Sequence, residues 1–236
     1  MRFSLVGFIL IMAAAIFSIQ KSQSPVVSPV PDTPPSSPIT VLFPRKKNPD
    51  ELQKKIVSLI GNTWKNYSVY VKDYSSDFTV GINESVIFTA ASINKIPILA
   101  SLYVRVQKKQ IDLDAPITLQ ASDIQDYGTG TIRYDPPGTS YSVKTLTRLM
   151  MQKSDNTAAF LLANYVIGVD AIQSELTAWG LTQTDMTDNK TSNKDMERML
   201  AKIYTGGIAN TALTQEMLAF MKDSDFEDRI PILLPK

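Results

Sequence analysis

Hydrophobic and polar positions divide the chain into three stretches. Arg2 precedes a charge-free apolar run from Phe3 to Ile19, closed by Gln20 and Lys21. That pattern predicts an export segment over residues 1–21, either a cleaved signal peptide or a retained membrane anchor. From Ser22 the periodicity vanishes. Eight of the 14 prolines fall between Ser22 and Pro49. Proline removes amide donors and restricts φ, so residues 22–47 read as an extended linker reaching roughly 60–90 Å. Together the two segments predict an exported protein, anchored outside the cytoplasmic membrane or secreted.

Folded patterning begins at Asn48. Pro49 suits a first helical turn, and Leu52, Ile56, Leu59 and Ile60 recur at helical spacing. Two short alternating segments, Ser68–Asp73 and Asp77–Asn83, flank Tyr74-Ser75-Ser76 and predict a β-hairpin. Beyond Ser92 the period is helical almost throughout. Ile96, Leu99, Tyr103 and Val106 mark one helix, and Ser142 caps another through Leu146, Leu149 and Met150. Further helices are predicted over Thr157–Ile167, Asp170–Trp179, Asn193–Thr205 and Gln215–Met221. Ser192-Asn193-Lys194-Asp195 has the spacing of a capping box, with Asp in place of Glu.

Composition narrows the chemistry. The chain has no histidine and no cysteine, which excludes imidazole acid/base catalysis, thiolate nucleophiles and Cys/His metal sites. Lys+Arg 24 against Asp+Glu 23 gives a net charge of +1, with no electrostatic footprint for nucleic acid. Asp112, Asp114, Asp123 and Asp126 are too scattered for a calcium loop and read as caps or surface. No metal and no cofactor is expected. Gly128-Thr129-Gly130 lacks the preceding strand and third glycine of a dinucleotide loop and reads as a turn.

The stronger signal is Ser92-Ile93-Asn94-Lys95 at the start of an apolar helix. Spacing of i and i+3 sets the hydroxyl and the amine on one face. Without histidine, a desolvated lysine is the means left to activate a serine. Spacing alone is weak, since Ser18-Ile19-Gln20-Lys21 also matches inside the export segment. Ser154-Asp155-Asn156 follows 62 residues after Ser92. It offers a proton-shuttling hydroxyl and an amide able to hold a substrate carbonyl or the lysine. It equally fits a helix N-cap before Thr157-Ala158-Ala159.

Taken in order, Phe88-Thr89-Ala90-Ala91-Ser92-Ile93-Asn94-Lys95 and Ser154-Asp155-Asn156-Thr157-Ala158-Ala159 resemble the penicillin-recognising serine hydrolases, especially class A β-lactamases. Leu113-Asp114 and Tyr134-Asp135-Pro136-Pro137-Gly138-Thr139 resemble that family's connecting segments, and the resemblance covers about Asp50 to Lys236. It implies an α/β (α+β) fold over residues 48–236: an antiparallel sheet flanked by helices, plus an all-helical part. It also implies Ser92 as acylated nucleophile, Lys95 as its base, Ser154 as proton relay and Asn156 as substrate-binding amide. The backbone N–H of Ser92 would supply one oxyanion donor.

Two departures from that pattern shape the functional expectation. The family's Lys-Thr/Ser-Gly motif is absent, and Arg229 to Lys236 resembles the segment before the strand that carries it. A chain incomplete at its C-terminus is therefore expected, lacking the last strands and helix. The family's Glu-x-x-Leu-Asn loop is also absent. Residues 180–189 form a shorter loop without glutamate, where Asp185 and Asp188 are the carboxylates available. The leading expectation is a monomeric β-lactamase-type hydrolase that forms an acyl-enzyme with a small-molecule β-lactam. The alternatives are a penicillin-binding protein acting on D-Ala-D-Ala peptides, or a catalytically inert cell-wall binding module.

Overall fold

The computed structural model describes residues 48–63 and 65–226. The export segment and proline-rich linker, residues 1–47, and the Arg229–Lys236 segment lie outside the described residues. Among the described residues no helix is long and apolar enough to cross a membrane.

Helix α1 (Pro49–Ile60) starts where the sequence places it. Asn48 Oδ1 accepts from the N–H of Asp50 at 3.0 Å and of Glu51 at 3.4 Å, capping donors that the first turn leaves unpaired. Asp50 and Glu51 favour the positive end of the helix. No residue of α1 is buried. The predicted hairpin follows as β1 (Val69–Lys72) and β2 (Thr79–Ile82), antiparallel, with Val69 opposite Ile82 and Lys72 opposite Thr79. Asp73 shapes its turn by accepting from the Ser75 N–H at 2.9 Å and the Ser76 hydroxyl at 3.0 Å.

Strand β3 (Phe88–Thr89) leads into a 3₁₀ turn, Ala91–Asn94, and then helix α2 (Lys95–Gln107). Ser92 thus sits one turn ahead of the α-helix rather than opening it. Pro97 lies in the first turn of α2, where its missing N–H costs nothing. Strands β4 (Pro116–Thr118) and β5 (Ser140–Ser142) form a second antiparallel ribbon. Helix α3 (Val143–Gln152) is capped by Ser142, whose Oγ accepts from the Thr145 N–H at 3.1 Å.

The single helix expected over Thr157–Ile167 is two segments: helix α4 (Asn156–Leu161) and a π-helical stretch, Leu162–Ile167, ended by Gly168 at φ 96°. Helix α5 (Val169–Ala178) and strand β6 (Lys190–Thr191) follow, and β6 pairs antiparallel with β3. Helices α6 (Asn193–Tyr204) and α7 (Thr211–Phe220) complete the described fold. The expected capping box at α6 is half made. Ser192 Oγ accepts from the Asp195 N–H at 3.2 Å. The Asp195 carboxylate instead accepts from Gln183 N–H at 2.7 Å and from the Thr184 hydroxyl at 3.0 Å, tying the 181–190 loop to the helix.

One large apolar cluster joins α2 through α7, with Leu99, Leu102, Tyr103, Leu146, Leu161 and Leu176 fully buried. Each such leucine contributes about 1.5–3 kcal/mol relative to exposure. The hairpin has its own small cluster of Val69 and Ile82, flanked by half-buried Ile56, Tyr67 and Val71. The architecture is α/β: among the described residues, an all-helical body carries three short antiparallel ribbons.

Candidate active site

All four sequence-predicted residues meet at one point between the 3₁₀ turn, α2 and the start of α4. Lys95, 4% exposed, stands at the first position of α2. Its Nζ lies 3.1 Å from Ser92 Oγ, 2.9 Å from Ser154 Oγ, 2.6 Å from the Ser154 carbonyl and 2.8 Å from Asn156 Oδ1. Ser154 Oγ lies 2.8 Å from Ser92 Oγ, so amine and hydroxyls form a closed triangle.

Lys95 Nζ can engage three of its four partners at once in either protonation state. An ammonium has three hydrogens for these four partners, and the two carbonyl oxygens can only accept. A neutral amine likewise meets three at a time, with its two N–H groups on the Ser154 carbonyl and Asn156 Oδ1 and its lone pair facing one serine hydroxyl. Burial pushes the Lys95 pKa down from 10.5 to about 8, against an opposing pull from the Asp155 carboxylate. The proton-free amine that can accept from serine is therefore accessible near neutral pH.

Asp155 holds the network without touching it. Its Oδ2 accepts from the N–H groups of Thr131 at 2.6 Å and Ile132 at 2.9 Å, and its Oδ1 caps α4 through the Ala158 N–H at 2.9 Å. Both readings of Ser-Asp-Asn are thus realised together. The middle residue caps the helix while the outer two face Lys95. Asn156 is pinned from its other end, since its Nδ2 donates to the Tyr127 carbonyl at 2.9 Å. The Thr129 hydroxyl donates to the Ser154 carbonyl at 2.8 Å.

The Gly128-Thr129-Gly130 turn is a wall of the site, which its sequence did not announce. A Cβ at Gly128 would lie 2.5 Å from Asn156 Nδ2, and one at Gly130 2.5 Å from the Asp155 carboxyl carbon. Two non-glycine residues of the site, Ala91 at φ 49° and Ser154 at φ 51°, occupy the left-handed region. Strain of this kind costs of order 1–3 kcal/mol and persists where surrounding structure over-determines it. Of the scattered aspartates, Asp123 is structural: it is buried and accepts from the Gln120 N–H at 2.9 Å and the Tyr165 hydroxyl at 2.9 Å. Among the described residues no cluster of acidic side chains could hold a metal ion.

Ser92, Lys95 and Asn156 open onto a cavity of 430 Å³. Amides of Asn94, Gln125, Asn164 and Asn189 line it beside apolar Phe160, Ala163, Val169 and Met186. Ala163 and Asn164 reach it from the π-helical stretch, a feature that frequently marks functional sites. No aspartate or glutamate is among its described lining residues. Asp185 Oδ1 accepts from the Asp188 N–H at 2.8 Å, and Asp188 pairs with Lys190 at 2.7 Å on the surface. The 181–190 loop sends Met186 and Asn189 into the cavity wall instead.

The chain is similar to solved structures of the same architecture. A point mutant of PBP-A, an acyl-enzyme complex with penicillin-G, is 25% identical over 82% of this chain and 76% of its own, with a TM-score of 0.74. PBP-A itself is 26% identical over 79% and 73%, with a TM-score of 0.73. A beta lactamase from Xanthomonas campestris pv. campestris shares the fold at 24% identity over 80% and 76%, with a TM-score of 0.72. No curated protein matches the chain. Ser92, Lys95, Ser154 and Asn156 form one hydrogen-bonded network, the beta-lactamase enzyme family matches residues 51–236, and the chain belongs to that family.

Proposed function

We propose that this serine hydrolase opens β-lactam rings by acylating Ser92, and that the acyl-enzyme persists. The observation that carries the reading is the triangle of Lys95 Nζ with Ser92 Oγ at 3.1 Å and Ser154 Oγ at 2.9 Å. Ser92 Oγ attacks the lactam carbonyl carbon as its proton passes to neutral Lys95. The carbon–oxygen bond forms, and the carbon–nitrogen bond then breaks. A proton moves from the Lys95 ammonium through Ser154 Oγ to the leaving nitrogen, which returns Lys95 to its neutral form. Asn156 orients the lysine and presents its amide to the acyl group. That the PBP-A mutant, a similar structure, is an acyl-enzyme complex with penicillin-G supports this reading.

Hydrolysis of the ester needs a base for water. Since no carboxylate is among the described residues lining the cavity, the ester turns over slowly. The same feature favours a second reading, a peptidase or transpeptidase that takes the acyl group of a D-Ala-D-Ala peptide. The proposed setting is outside the cytoplasmic membrane, on the strength of the charge-free run Phe3–Ile19. Labelling of the full chain by fluorescent penicillin tests the proposal. Covalent label is expected on the parent and none on Ser92→Ala; an unlabelled parent sinks the reading. Rapid turnover of a chromogenic cephalosporin would overturn slow deacylation, and release of D-alanine from a D-Ala-D-Ala peptide would select the second reading.

A further inference from the structure

The 181–190 loop is fastened to the nucleophile turn at two points, one on each side of Ser92. Upstream, the Asn189 carbonyl accepts from the Ala90 N–H at 2.8 Å. Downstream, Asn189 Oδ1 accepts from Asn94 Nδ2 at 2.9 Å, across 95 residues of chain. Between these fastenings lies Ala91, at φ 49°. A β-carbon disfavours that conformation by roughly 1–2 kcal/mol, so the turn needs holding from outside. Asn189 is itself left-handed at φ 51°, a conformation asparagine tolerates better than most residues. Both Asn94 and Asn189 line the cavity beside Ser92 and Lys95.

We propose that Asn189 is a positioning residue for Ser92, its side-chain amide latching Asn94 so that the strained turn keeps the nucleophile on Lys95. Its side-chain hydrogen bond goes to Asn94 and not to either of those two side chains. It acts through the 3₁₀ turn, which ends at Asn94 immediately before Lys95. Without the latch the turn can relax at Ala91 and draw Ser92 Oγ away from Lys95 Nζ. This inference rests on the proposed acylation of Ser92 for its kinetic consequence but not for its structural one.

The decisive variant is Asn189→Gly, because glycine keeps the left-handed backbone and its carbonyl bond to Ala90 while removing the amide. Its rate of labelling by saturating fluorescent penicillin is expected to fall on the order of tenfold, with half-saturating concentration unchanged. Asn94→Ala should fall by the same factor, and the double variant should fall no further, since both remove one bond. Full labelling rate in Asn189→Gly, or losses that multiply in the double variant, would overturn the proposal. Amide hydrogen exchange without ligand gives a second reading of the same latch. Exchange at Ile93, Asn94 and Lys95 should speed up in Asn189→Gly, while Leu99 to Tyr103 stay protected. Unchanged exchange there refutes the latch even when the parent takes no label, an outcome that would refute acylation separately.

Discussion

The two ends of the described fold are built to different depths. The helical body buries Leu99, Leu102, Leu146, Leu161 and Leu176 completely and closes around Lys95 and Asp155. The hairpin end rests on Val69 and Ile82, and α1 against it buries nothing. Every side chain of the Ser92–Lys95–Ser154–Asn156 network belongs to the deep end, and its second support, the Asn189 loop, is tied to α6 through Asp195. Reactive geometry is held where packing leaves few alternatives.

The largest test of this contrast is chemical. Lys95→Met should lower the labelling rate by about 10²–10⁴-fold, the usual worth of a positioned proton acceptor, whereas Val80→Ala in the hairpin should leave it unchanged. A Lys95→Met protein that labels at the parent rate would show that another group activates Ser92. The stability counterpart is Leu146→Ala against Ile82→Ala in urea unfolding. Leu146 is 0% exposed inside the main cluster and Ile82 8% exposed at the small one. We expect about 4 kcal/mol for the first and about 2 kcal/mol for the second. Equal costs would erase the distinction between the two ends.

Within the site wall, Gly130→Ala should cost about 3 kcal/mol and Gly138→Ala about 1 kcal/mol. Both glycines have positive φ, but a Cβ at Gly130 meets the Asp155 Cα at 2.8 Å while one at Gly138 meets nothing within 4 Å. Similar melting points for the two variants would deny the turn its role against Asp155. The smallest effect concerns pH. In the proposed reaction acylation needs neutral Lys95, so the labelling rate should rise with pH through about 8 and level off above it. Asp155 attracts the ammonium and holds that midpoint up. Asp155→Asn should therefore move the midpoint to lower pH, and a midpoint displaced upward would contradict the electrostatic assignment.

Much of this was legible in the chain. Helices α1, α3 and α6 follow from Pro49, the Ser142 cap, the capping-box spacing at Ser192 and apolar residues at helical spacing, all local features, whereas α7 was expected only from Gln215 and starts a turn earlier at Thr211, capped by Asn210. The hairpin was readable from alternation. The three-dimensional convergence of Ser92, Lys95, Ser154 and Asn156 was inferred through family resemblance, because 62 residues separate the two serines and no periodicity links them. The two-residue pairing of β3 with β6 was invisible, being too short to alternate. So was the π-helical stretch, whose residues Leu162–Ile167 look like ordinary helix. The Gly-Thr-Gly turn read as punctuation, since only its closeness to Asp155 and Asn156 makes it part of the site.

By itself the sequence determined which chemistry is open to this protein. With no histidine and no cysteine, lysine is the base the sequence offers a serine, and Ser92-x-x-Lys95 is the candidate pair. It determined the local caps and faces as well, because these depend on neighbours within one turn. Tertiary structure alone decided that Lys95 meets two carbonyls and two hydroxyls, and that it is buried, and the burial makes its neutral form accessible near pH 8. It alone decided that Asp185 and Asp188 are absent from the cavity lining while Asn189 clasps Asn94. Burial and contacts across some 95 residues are properties of packing, and no local pattern in the chain encodes them.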